Sequence, residues 1–130
     1  MKLLGLYKAA TVLGYPLIAV YLAVRKIKGK EDLTRFPERL GYAGKTRPDG
    51  RLVWIHGASV GETLSALPLI NKLSELYPHM RIMVTSGTVT SAELMAKRLP
   101  ENAFHQFVPI DTPSAVKRLF GYWKTDCALW

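Results

Sequence analysis

The 130-residue sequence has one cysteine, Cys127, so a disulfide framework is excluded. Its three histidines, His56, His79 and His105, are far apart and show no metal-ligand spacing, and no metal or cofactor is expected. Acidic residues are scarce, ten against 18 basic ones, for a formal net charge of +8. Internal repeats and low-complexity tracts are missing. A disordered polymer is excluded in turn, because 48% of the residues are hydrophobic. The positive charge is unevenly placed: residues 1–50 carry ten basic and four acidic groups, net +6, while residues 51–130 carry eight and six, net +2.

Charge is also missing from Leu3 to Val24, where LLGLYKAATVLGYPLIAVYLAV contains only Lys8. As one helix this stretch would be about 33 Å long, against a hydrocarbon core of about 30 Å. Apolar residues fall on every face, which does not suit a surface helix. Gly5, Gly14 and Pro16 are tolerated in membrane helices. Tyr7 and Tyr21 lie near the ends, and Lys8 can snorkel outward. The sequence therefore predicts a single membrane-anchor helix over residues 1–24, with partial insertion into one leaflet as an alternative because Ala9–Val24 alone is uncharged. A buried core helix is a further alternative. A cleavable signal peptide fits poorly, since the basic cluster follows the apolar run and no small-residue cleavage site closes it.

Residues 25–50 form a basic juxtamembrane segment. Eight basic residues, from Arg25 to Arg47, follow the apolar run, against Lys2 and Lys8 at its start, so the positive-inside rule places everything from Arg25 onward in the cytoplasm. The cluster suits anionic lipid headgroups. No aromatic residues are interleaved in it at stacking spacing, and no nucleic-acid partner is expected.

Residues 51–130 alternate strand and helix. Leu52–His56 (LVWIH), Arg81–Thr85, Phe104–Pro109 and Asp126–Trp130 read as strands. Between them lie three helical patterns: an apolar stripe of Leu64, Leu67, Pro68, Ile70, Leu73 and Leu76; a segment with Leu94, Met95 and Leu99, stopped by Pro100; and one entered at Thr112-Pro113 and ending near Trp123. This order predicts an α/β fold with a parallel sheet. Trp54, Cys127 and Trp130 read as core residues of its strands. No helix covers the last strand, which suggests the front part of a longer polypeptide.

In open parallel sheets, ligands bind outside the carboxyl ends of the strands. Two small, polar loops lie there, Gly57–Glu62 and Ser86–Ser91. Gly57 and Gly61 allow close backbone approach, and Ser59 can cap the following helix. Glu62 falls in that helix's first turn, where backbone N–H groups favour a carboxylate. Such a group is a workable general base if a substrate hydroxyl comes within reach. The same four residues, Ser59-Val60-Gly61-Glu62, also read as a capping box, as do Thr90–Glu93 in the next helix. His56 borders the glycine loop, so a minor substrate contact is open to it. The loop is not G-x-G-x-x-G, no Gly-Lys-Ser/Thr follows it, and Ser59 lacks the nucleophile-elbow pattern.

The apolar N-terminus with its basic follow-up, RFPERLG at Arg35–Gly41, WIHGASVGETLSALPLI at Trp54–Ile70, RIMVTSGTVTSAE and FVPIDTPSAVKRLF together resemble the front of bacterial 3-deoxy-D-manno-octulosonic acid (Kdo) transferases. The resemblance implies an inverting glycosyltransferase of lipopolysaccharide biosynthesis with GT-B architecture: two Rossmann-like halves, of which residues 51–130 are part of the first. It implies a lipid A precursor as acceptor, CMP-Kdo as donor bound by the other half, no metal, and Glu62 as general base. Gly57, Ser59, Gly61 and Ser86 are expected at the acceptor, and Arg35 and Arg39 at its phosphates, where Arg offers bidentate donors. Contact with lipid headgroups or helix ends is an equally open role for the two arginines. The family is several times longer than this chain, so an inactive fragment is expected. A membrane-anchored adaptor without chemistry and another envelope GT-B enzyme using a UDP-sugar are the alternatives.

Overall fold

The computed structural model of the chain describes residues 2–130. In order, the elements are α1 (Lys2–Leu13), α2 (Tyr15–Ile27), α3 (Phe36–Arg39), β1 (Leu52–His56), α4 (Val60–Leu76), β2 (Arg81–Ser86), α5 (Val89–Arg98), β3 (Ala103–Phe107), α6 (Pro113–Trp123) and β4 (Cys127–Leu129). The strands are all parallel, in the order β3-β2-β1-β4.

Side chains alternate across each strand, and helices cover both faces, so the strands read as near-continuous apolar runs. Ile55, Ile82 and Val84 face α4 and α5, packing with Leu67, Ile70 and Met95. Leu52, Trp54 and Met83 face the other way, onto Leu119 and Trp123 of α6. Each such buried side chain contributes about 1.5–3 kcal/mol through burial. The apolar stripe expected on α4 is buried at Leu67 and Ile70, whereas Leu64 and Leu76 stand at its rims, 38% and 58% exposed.

The helices start where local chemistry lets them. Thr112 Oγ1 accepts from Ala115 N and Pro113 opens α6, as expected. At α5 the cap is Thr88, whose Oγ1 accepts from Ser91 N, so the capping box expected at Thr90–Glu93 is corrected. Thr90 already lies inside the helix, which begins two residues earlier than the Thr/Glu spacing suggests.

The N-terminal apolar run is not one helix. Neither α1 nor α2 alone is long and apolar enough to cross a membrane; together they have the length and composition, but they are bent by 56°. The single helix expected over residues 1–24 is therefore corrected to a bent pair. Pro16, in the first turn of α2, has no N–H to offer the carbonyl of Val12 and crowds it, and the chain breaks at Gly14. The pair is attached to the sheet domain through Leu22, buried with Ile110 and Ala115 beside Ile18, Phe36 and Leu40. Leu3, Leu6, Leu13, Leu17 and Ile27 remain largely exposed.

Residues 31–44 close the outer edge of β3. The buried Glu38 carboxylate accepts from Phe107 N at 2.7 Å and from Arg35 Nε and Nη2 at 3.0 and 2.8 Å. Gln106 Oε1 accepts from Gly44 N, while its Nε2 donates to Tyr42 O. A bare strand edge is thus supplied with partners by the RFPERLG segment. Gly41 is obligatory here: φ is +88°, and a Cβ would collide with the Ala115 carbonyl.

Two residues expected in the core are outside it. Cys127 is exposed and Trp130 is 78% exposed, because β4 pairs on one side only, with β1. Trp54 is buried as expected.

Candidate active site

The strand order places β1 and β4 side by side although α4, β2, α5, β3 and α6 intervene in sequence. Crossovers leave this point in opposite directions, so the loops part and a crevice opens at the strands' carboxyl ends. A cavity of about 640 Å³ lies there, lined among others by His56, Ser59, Gly61, Glu62, Leu129 and Trp130.

Four of the site residues expected from sequence lie at this cavity or its loop. Ser59 caps α4: its Oγ accepts from Glu62 N at 3.2 Å. Glu62 Oε2 reaches back to accept from Ala58 N at 2.6 Å, closing a reciprocal cap one residue upstream of the standard capping box. The second carboxylate oxygen has no hydrogen-bond partner among the described residues and belongs to an exposed side chain at the cavity. Capping therefore occupies one carboxylate oxygen and leaves the other unengaged. Gly57 is buried, and a Cβ there would meet Thr63 Cγ2 at 2.8 Å. At Gly61 the nearest atom is Ser59 Oγ, 3.9 Å away, so space is open above it.

The other three lie elsewhere. Ser86 is fully buried, its Oγ 2.5 Å from Ser91 Oγ and 2.7 Å from His105 Nε2. Arg35 is bound to Glu38, donates to the His105 carbonyl at 3.0 Å and stacks over the Phe107 ring. Arg39 lies 3.5 Å from Glu31 and donates to the Val108 carbonyl. Neither arginine lines the cavity that holds Glu62.

Sequence reasoning missed the support of His56. Its Nδ1 lies 2.8 Å from Thr85 Oγ1, and the Trp54 indole donates to the same oxygen at 2.8 Å. Burial lowers the His56 pKa, an effect partly offset by the Glu62 charge and the Thr85 carbonyl. The available signal was register: β1 and β2 align His56 with Thr85. His105, far in sequence from the other histidines, is a buried link between Arg35 and Ser86, and desolvation, then the Arg35 and Lys45 charges, push its pKa down to about 3. Among the described residues no group of three or more His, Cys, Asp or Glu could hold a metal ion.

A doubly covered parallel sheet in the order β3-β2-β1-β4 fits part of a Rossmann-like half. The sequence model described as 3-deoxy-D-manno-octulosonic-acid transferase (kdotransferase) matches residues 34–130. The chain is 38% identical over 124 residues to a probable mitochondrial 3-deoxy-D-manno-octulosonic acid transferase of Arabidopsis thaliana, covering 95% of this chain and 28% of that protein. Identity is 40% over 128 residues to the transferase of Rickettsia bellii, covering 98% and 30%. To that of Haemophilus influenzae it is 31% over 117 residues, covering 89% and 27%. No solved structure matches. The chain belongs to the 3-deoxy-D-manno-octulosonic acid transferase family, and it spans less than a third of the length of these relatives.

Proposed function

We propose that this chain is the acceptor-side part of an inverting Kdo transferase of GT-B architecture, in which Glu62 is the general base. The observation that carries this reading is the placement of Glu62: at the crossover crevice, with one carboxylate oxygen fixed on Ala58 N and the other unengaged. The free oxygen takes the proton from an acceptor hydroxyl as that hydroxyl's oxygen attacks the anomeric carbon of Kdo and CMP departs with the bonding pair. Fixing the first oxygen orients the second, so the base needs no reorganisation during the step.

The acceptor is the lipid A precursor and the donor is CMP-Kdo. The donor contacts belong to the portion of the relatives that this chain does not match. Ser59 and Gly61 border the acceptor's path, Gly57 holds their loop against α4, and Ser86 shapes the neighbouring loop from beneath. Of the two arginines, Arg35 keeps the more exposed side chain, 31% against 12% for Arg39, and is the one assigned to acceptor phosphate. The exposed apolar residues of α1 and α2 sit in the cytoplasmic leaflet of the bacterial inner membrane, where a lipid acceptor is at hand. The basic residues that follow meet anionic headgroups.

The test is Glu62→Gln in a full-length family member carrying this segment. The amide keeps the shape and a weaker cap but removes the base, so kcat falls about 10²–10⁴-fold while the acceptor KM changes little. A kcat within threefold of the parent would end the proposal.

A further inference from the structure

His56 enters the same cavity as Glu62 with its second ring nitrogen already committed. The hydrogen bonds below it have a direction. Trp54 Nε1 can only donate, so Thr85 Oγ1 must accept from it. Thr85 is fully buried, and among the described residues the only other partner of its hydroxyl is His56 Nδ1 at 2.8 Å. The Thr85 carbonyl also faces the ring but already accepts from Gly57 N, so the hydroxyl proton, with no other acceptor, points to Nδ1; Nδ1 is then the acceptor and the ring proton resides on Nε2. The Trp130 ring stands edge-on to the imidazole at 5.3 Å between centroids and limits its rotation.

We propose that Trp54 and Thr85 lock His56 as an Nε2–H donor that binds an uncharged oxygen of the acceptor sugar, next to the hydroxyl that Glu62 deprotonates. His56 is thereby a substrate-binding residue, and Thr85 and Trp54 are positioning residues that act through it. An imidazolium here would pair with the Glu62 carboxylate and occupy the lone pairs needed for proton abstraction; burial works against that form. With Nδ1 engaged, the ring is not a second base. What it retains is one directional donor, matched to a hydroxyl or ether oxygen rather than to an anion. The proposal rests on the placement of the acceptor beside Glu62.

Two measurements test it. In the ¹⁵N-labelled chain in detergent micelles, two-bond ¹H–¹⁵N correlations of the His56 ring at neutral pH should show the Nε2–H form, with Nδ1 unprotonated. Thr85→Val should convert it to a mixture of tautomers. An Nδ1–H form or an imidazolium in the parent chain overturns the lock. In a full-length family member carrying this segment, His56→Ala should raise the acceptor KM about tenfold, the scale of one hydrogen bond. The donor KM should not move, and His56→Gln, which restores an N–H donor, should recover part of the loss. An unchanged acceptor KM in His56→Ala, or an equal rise in donor KM, overturns the substrate contact. Glu62→Gln in the same assay separates the two ideas: if it retains kcat the base assignment fails, while the tautomer result stands or falls by itself.

Discussion

Gly57 and Gly61 are four positions apart in one loop, and only the first is needed by the fold. A Cβ on Gly57 would lie 2.8 Å from Thr63 Cγ2 and 2.9 Å from Thr63 N, where backbone must give way. Gly57→Ala should therefore cost about 1–3 kcal/mol. Gly61→Ala should change stability by no more than about 0.5 kcal/mol, since its nearest neighbour is 3.9 Å away. Urea unfolding of the two variants checks this, and equal losses would contradict it. The fold therefore makes no steric demand for glycine at 61. Both glycines stand out in the sequence as small residues beside a carboxylate. Their different reasons do not, because Thr63 and the open space over Gly61 are properties of the folded turn.

At the scale of elements, short-range physics was legible and long-range pairing was not. The bounds Leu52–His56 follow from an apolar run between turn residues, and α6 from Thr112-Pro113; the structure reproduces both. The third strand ends at Phe107 rather than Pro109, because its partner β2 ends at Ser86, opposite Phe107. The carboxylate of Glu38 on Phe107 N joins positions 69 residues apart, and no local pattern announces it. The reach of Arg35 to the His105 carbonyl and of Arg39 to the Val108 carbonyl is likewise supplied by the tertiary fold. Helix α2 buries Leu22 on one face and exposes Leu17 on another. Leu22→Ala, on the inward face, should destabilise the domain by about 2–5 kcal/mol in urea unfolding. Leu17→Ser, on the 77% exposed face, should leave stability within about 0.5 kcal/mol yet weaken binding to anionic vesicles about tenfold in co-sedimentation. A vesicle affinity indifferent to Leu17 would remove α2 from the membrane contact.

For the molecule as a whole, His105 makes stability depend on pH. Its pKa is about 3 in the folded chain against an ordinary 6.5, so between those values the unfolded chain binds the extra proton. The stabilisation is complete above about pH 6.5 and is lost as pH falls toward 3, by about 1.4 kcal/mol per unit. His105→Gln should flatten that part of the unfolding free energy between pH 6.5 and 4, and an unaltered slope would refute the assignment. The same region has a kinetic side. Glu38 leaves the ribosome well before Phe107, so the carboxylate waits for the strand it will cover. Docking it closes a loop of 69 residues, a slow and entropically costly event compared with forming α4 or α5. Until that closure, β3 offers its amides to any other extended chain. The window for misassembly of the nascent polypeptide is set by how quickly one buried glutamate finds one backbone N–H.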